Sequence, residues 1–122
     1  MQHLSNWIEI PVKDLPRAKK FYAQLFKAEF FDMKMGPLQY ALFPTKDQYN
    51  SGALVQGDGY EPAQNGLLVY LNGGDDLNDI LKQVKKSGGK VVMDKTFMGE
   101  EAGHVGIFID TEGNRLGLQS MK

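Results

Sequence analysis

The run WIEIPVKDLPRAKKFY, Trp7 to Tyr22, writes a strand, a turn and an amphipathic helix without a break. Along an extended chain side chains alternate, so Ile8, Ile10 and Val12 share one face and Trp7, Glu9 and Pro11 the other. A β-branched row opposite a row that carries a carboxylate predicts one dry face and one that reaches water or a cleft. Pro11 lacks a ladder donor and belongs near the strand's end or at an edge. Asp14 stands where a helix N-cap belongs, and Pro16 fits the first turn, where its missing N–H has no intrahelical partner to lose. Leu15, Ala18, Tyr22 and Leu25 follow at helical spacing with Phe21 and Phe26 beside them, while Arg17, Lys19 and Lys20 take the wet face.

Working outward, Glu29 to Lys34 and Leu38 to Pro44 read as two strands around the turn Met35-Gly36-Pro37. A polar loop, Lys46 to Ser51, precedes a fourth strand, Gly52 to Gln56. Gly57 to Asn65 is a polar connector bearing Gly and Pro near the chain's midpoint, and the order then repeats. Gly66 to Asn72 is a strand and Asp75 or Asp76 a cap. The helix that follows has Leu77, Ile80, Leu81 and Val84 as its stripe and ends at Ser87-Gly88-Gly89. Lys90 to Lys95, Val105 to Asp110 and Arg115 to Ser120 are three more strands, the last two joined by the hairpin turn Asp110-Thr111-Glu112-Gly113-Asn114. Asp14-Leu15 matches Asp76-Leu77 at a shift of 62, and Leu54-Val55-Gln56 matches Gly117-Leu118-Gln119 at a shift of 63. The order strand, helix, strand, strand, strand occurring twice predicts an α+β fold. Two tandem β-α-β-β-β modules, about 1–58 and 65–122 of a single domain, form curved mixed sheets enclosing a cleft with the helices outside.

At 122 residues the chain is long enough to bury a real core. A net charge of −1 gives no basic footprint for nucleic acid or an anionic membrane. Zero cysteines exclude a disulfide framework and a thiolate nucleophile, and fit a reducing cytosol. No segment approaches the roughly 20 apolar residues that span a bilayer, and the first residues lack a secretory pattern. A cytoplasmic protein is therefore expected.

The repeat, together with IPVKDLPRAKKFY and FIDTEGNRLGL, resembles the vicinal oxygen chelate superfamily, which includes glyoxalase I, bleomycin-resistance proteins, fosfomycin-resistance enzymes and extradiol dioxygenases. More narrowly the chain looks like small glyoxalase-related bacterial proteins with a W-x-E-I-P-V-x-D strand and a strand like GALVQGDGY. That resemblance is specific for the fold and poor for the reaction. It implies metal-ligand positions in the first and fourth strands of each half, normally His, Gln or Glu. The corresponding residues are Trp7, Leu54, Leu67 and Gly117, none of them a ligand. The resemblance therefore predicts no inherited metal site and no cofactor. It also implies a homodimer, for which exposed strand edges give a physical reason.

Glu9 is the charged residue of the first strand and shares Trp7's face. It reads either as a general base or contact for a cationic ligand, or as an ordinary solvated carboxylate. Trp7 either stacks on a ligand or caps a core. His104, in a Gly-rich strand entry, reads as a proton-transfer group or as a strand-end histidine, and a metal there would need Glu9, Glu100 or Glu101. His3 lies too far before the strand to replace Trp7. Asp32, Gln39 and Tyr40 lie on strands that floor or wall the cleft, their faces undecided by alternation, and Met33, Met35, Met93 and Met98 suit pocket lining or core packing. The expected ligand site comprises Trp7, Glu9, Tyr40, Leu54, Leu67 and Gly117, with Glu9 and His104 the catalytic candidates. Three functions fit: a metal-free binder of a small organic molecule, a lyase or isomerase related to lactoylglutathione lyase, and a non-catalytic interaction module.

Overall fold

The computed structural model describes residues 5–45 and 51–122, so His3 and all but the last residue of the polar loop 46–51 lie outside the described residues. Ten elements follow in chain order: β1 Trp7–Pro11, α1 Leu15–Phe26, β2 Phe31–Met35, β3 Leu38–Leu42, β4 Ser51–Gln56, β5 Tyr70–Asn72, α2 Leu77–Lys86, β6 Lys90–Phe97, β7 His104–Ile109 and β8 Arg115–Ser120. They form two helices and two open four-stranded sheets, ordered β1-β4-β3-β2 and β5-β8-β7-β6. In each sheet the first strand runs parallel to its neighbour and the other pairs are antiparallel. This is the α+β architecture of tandem β-α-β-β-β modules. The chain divides into two compact units, Met1–Pro62 and Ala63–Lys122, inside the connector expected at 57–65.

In the first unit Asp14 caps α1, its Oδ1 accepting from the Arg17 N–H at 3.1 Å. The helix buries Leu15, Ala18, Phe21, Tyr22 and Leu25, and packs over β3 and β4. Phe21 meets Tyr22 edge-on at 5.0 Å, and Phe43 meets Tyr22 at 5.9 Å and Phe30 at 4.9 Å. Such offset aromatic contacts add stability beyond the area they bury. In the second unit Asp76 caps α2 through the Asn78 N–H at 2.9 Å and pairs with Lys95 at 2.9 Å. Leu77, Leu81 and Val84 are buried, with Ile80 half-buried beside them. The Gly89 N–H returns to the Val84 carbonyl, ending the helix as a Schellman turn.

One pair of hydrogen bonds fixes how the two modules correspond. The first N–H of α1, on Leu15, donates to Gln56 Oε1 at 2.7 Å, and the first N–H of α2, on Leu77, donates to Ser120 Oγ at 3.0 Å. In both units the last residue of the strand beside the helix start satisfies an orphan donor. Gln56 thus corresponds to Ser120, a shift of 64 rather than 63, and Leu54 corresponds to Leu118. The ladders agree, since Ile10 faces Leu54 as Leu71 faces Leu118, and Glu9 faces Ala53 as Tyr70 faces Gly117. Gly117's partner in the repeat is therefore Ala53.

Two strand boundaries differ from expectation. β5 starts at Tyr70 rather than Gly66, because the Gly117 N–H bonds to Val69 while the Arg115 N–H reaches back to Ala63. Residues 64–68 are looped out of the ladder between those two bonds. β6 runs to Phe97, past the expected Lys95, with two register shifts along its pairing with β7. The turn after β7 is a hairpin, as read: the buried Asp110 carboxylate accepts from Glu112 N and Asn114 N, both at 2.8 Å, and from Asn114 Nδ2 at 3.1 Å.

Candidate functional site on the face opposite the helix

Register assigns the faces that alternation in the sequence leaves open. Side chains at paired positions point the same way, so in the first unit Glu9, Ala53 and Leu42 share a face with Tyr40 and Val55. Ile10 and Leu54 take the other face, against α1, and Leu54 is wholly buried. The expected site residue Leu54 thus faces the helix, and Ala53 is the fourth-strand residue on Glu9's face. A one-residue change of register exchanges the faces of a strand, and the shift of 64 does so here.

Tyr40 lies on Glu9's face, buried in a cluster with Ala53 and Val55, against which Leu38, Leu42 and Tyr60 pack. Asp32 and Gln39 are on the helix side, where Asp32 pairs with Lys19 of α1 at 2.7 Å. A concavity of about 300 Å³ lies there, lined by Leu15, Pro16, Gln39 and that ion pair. Lys34 lines it as well, and Lys19 and Asp32 satisfy each other.

Tyr60 is the residue that reading the chain misses. Directly after β4, Gly57-Asp58-Gly59-Tyr60 closes a β-turn, with the Tyr60 N–H donating to the Gly57 carbonyl at 3.2 Å. Gly59, in the third place, has φ +87°, a conformation that needs no Cβ. The turn folds Tyr60 back over the sheet, 51 residues beyond its partner, and its hydroxyl donates to Glu9 Oε1 at 2.6 Å. Trp7 Nε1 donates to Glu9 Oε2 at 3.1 Å. Each carboxylate oxygen thus takes one hydrogen bond from an aromatic side chain and keeps further acceptor capacity. The Glu9 bond is the main reason that the Tyr60 phenol ionises well above its ordinary range; partial burial and the Tyr40 hydroxyl act in the same direction. Glu9 is exposed and Trp7 is 43% exposed, so the group faces outward. Among the described residues no lysine or arginine pairs with Glu9.

In the second unit the remaining expected residues separate. Leu67 lies outside β5 and is 92% exposed. The ladder carries Glu9 onto Tyr70, and counting back two residues from there matches Trp7 with Leu68, which lies before β5. Gly117 lies on the face opposite α2, where a Cβ would come within 2.4 Å of the Tyr70 ring, so glycine is what lets that ring lie flat on β8. His104 lies within β7, paired with Ser120, on the side that carries α2. Its ring stands 5.3 Å from that of Phe97, and its buried Nδ1 has no hydrogen-bond partner among the described residues. The face opposite the helix at that end of β7 belongs instead to Val105 and Ile107. Among the described residues no three His, Cys, Asp or Glu side chains stand close enough together to hold a metal ion.

Residues 4–118 match the sequence model of the Glyoxalase/Bleomycin resistance protein/Dioxygenase superfamily. The chain belongs to this superfamily. It is 32% identical over 112 residues to a glyoxylase-like domain-containing protein of Didymella fabae, which covers 88% of this chain and 85% of that protein. Among solved structures it is similar to a glyoxylase/bleomycin resistance protein/dioxygenase domain from Frankia sp. EAN1pec, with TM-score 0.72, 15% identity, and 100% and 93% of the two chains covered. The genomically encoded fosfomycin resistance protein of Listeria monocytogenes matches with TM-score 0.68 and 16% identity, covering 98% of this chain and 91% of that one. At these identities the superfamily structures speak for the fold.

Proposed function

We propose that this glyoxalase-like chain binds a small organic molecule on the face of the first sheet opposite α1, with Glu9 as the polar contact and without the superfamily's metal. The observation that carries the reading is the Trp7–Glu9–Tyr60 group, an outward-facing carboxylate held from both sides by aromatic donors above an apolar floor of Ala53, Val55 and Tyr40. Binding sites are commonly apolar surfaces with a few fixed polar groups. The donor chemistry supports the metal-free part. At Trp7, Ala53 and Gly117, and at Leu68, which precedes Tyr70 of β5 as Trp7 precedes Glu9, the side chains are an indole, a methyl, a hydrogen and an isobutyl, none of which suits a divalent ion.

The lyase or isomerase reading draws less support, because His104 faces α2 rather than the sheet surface matching Glu9's. We place the protein in the cytosol as a homodimer. The absence of cysteine and the bare edge strand β2, with Phe31 71% and Met35 58% exposed, support that assignment. Among the described residues no helix is long and apolar enough to cross a membrane.

The test is a thermal-shift screen of small organic compounds on wild type and Glu9→Ala. Compounds that raise the melting temperature of wild type should raise that of the variant less. Equal shifts in both proteins for every active compound would remove Glu9 from the site, and light scattering after gel filtration decides the dimer.

A further inference from the structure

Resting on the reading that this face takes a small molecule, we infer that its ligand is an organic cation, a protonated or quaternary amine bearing an apolar group. Glu9 is a full negative charge whose hydrogen-bond donors, an indole N–H and a phenol O–H, are both neutral. Neither cancels the charge. Among the described residues no lysine or arginine pairs with Glu9; Lys19 is paired with Asp32, and Lys34 shares the helix side of the sheet with Gln39.

What surrounds the carboxylate favours a cation over a neutral donor or a metal. Trp7 and Tyr60 set two electron-rich rings beside the carboxylate, with Tyr40 buried next to Tyr60, and a soft organic cation is attracted to aromatic rings as well as to the carboxylate. A divalent ion needs several oxygen or nitrogen ligands, and among the described residues no three His, Cys, Asp or Glu side chains stand together to supply them. An anionic ligand would meet like charge. The two hydrogen bonds also fix the rings relative to the carboxylate before any ligand arrives, so little side-chain freedom is left to lose on binding. The Tyr60 phenol stays protonated, which keeps it a donor to Glu9 and adds no second negative charge.

The chain's one tryptophan is Trp7, so its indole N–H gives a single nuclear magnetic resonance signal from inside the site. Three probes of similar size are titrated against it: benzyltrimethylammonium, N-benzylacetamide and benzoate. The quaternary amine should bind at least about tenfold tighter than the neutral amide, and benzoate weakest. In Glu9→Gln, which keeps shape and hydrogen-bonding capacity, the preference for the cation over the amide should fall to within about twofold. Wild type binding the amide as tightly as the cation overturns the inference and leaves the small-molecule reading standing. A preference that survives in Glu9→Gln overturns the role of Glu9. No movement of the Trp7 signal by any probe, together with a flat thermal-shift screen, removes both.

Discussion

Leu54→Ala tests the register on which the site rests. Leu54 is wholly buried and faces α1, where Leu15, Ala18, Tyr22 and Leu25 are also buried. Truncating a leucine so placed removes its transfer free energy and leaves a cavity, about 3 kcal/mol in total and within a range of roughly 2.7–5. For a chain of this size each kcal/mol lowers the melting temperature by about 3–5 °C, so the variant should melt about 10–15 °C below wild type. Urea unfolding followed by Trp7 fluorescence reads the loss in the first unit, and an unchanged denaturant slope shows that stability alone moved. Binding by the surviving folded protein should be unchanged, because the side chain lies on the far side of the sheet. Ala53→Leu should do the reverse, adding bulk between Tyr40 and Val55 and weakening binding several-fold. If Leu54→Ala instead cost less than about 1 kcal/mol and abolished binding, Leu54 would face the site and the shift of 64 would be wrong.

In an alkaline absorbance titration, with Tyr60→Phe as the reference that isolates its signal, Tyr60 should ionise well above the ordinary value of 10.0, and Glu9→Gln should bring it back toward that value. Because its folded pKa is raised, the stability that Tyr60 draws from Glu9 is fully present below pH 10 and is lost as pH climbs through its own higher ionisation. The stability gap between wild type and Tyr60→Phe should therefore be level from about pH 6 to 9 and close above about pH 10; a gap closing near neutrality contradicts the assigned partner. Asp110→Ala strands two backbone N–H groups in a buried turn and should cost about 2–5 kcal/mol by denaturant unfolding, with Asp110→Asn milder because it keeps one acceptor oxygen for both. Equal losses in the two Asp110 variants would show that charge, not hydrogen bonding, is what the turn requires.

What the chain discloses and what it conceals divides along local and non-local contacts. Asp14, Leu15, Ala18, Tyr22 and Leu25 were legible because a cap and a helical stripe are patterns of neighbours, and each took its expected place. Trp7, Glu9 and Pro11 are legible as one face because Glu9 alternates with the β-branched row Ile8, Ile10 and Val12. No such interruption exists in Gly52-Ala53-Leu54-Val55 or in Gly66-Leu67-Leu68-Val69-Tyr70, so an apolar run leaves the face of each residue undetermined. Matching Gln56 to Gln119 by identity then chose a shift of 63. The fold equates Gln56 with Ser120 by what they do, since both accept the first helical N–H. A glutamine and a serine share no pattern, but they share an oxygen within reach of the same orphan donor. Tyr60 was concealed for the same kind of reason: Gly57-Asp58-Gly59 signals a turn and not its destination, which depends on a carboxylate 51 residues earlier. Glu9 could thus be singled out from β1 alone. Its description as a carboxylate clasped by indole and phenol, and with that the preference for an organic cation, required the fold to bring Tyr60 back over the sheet.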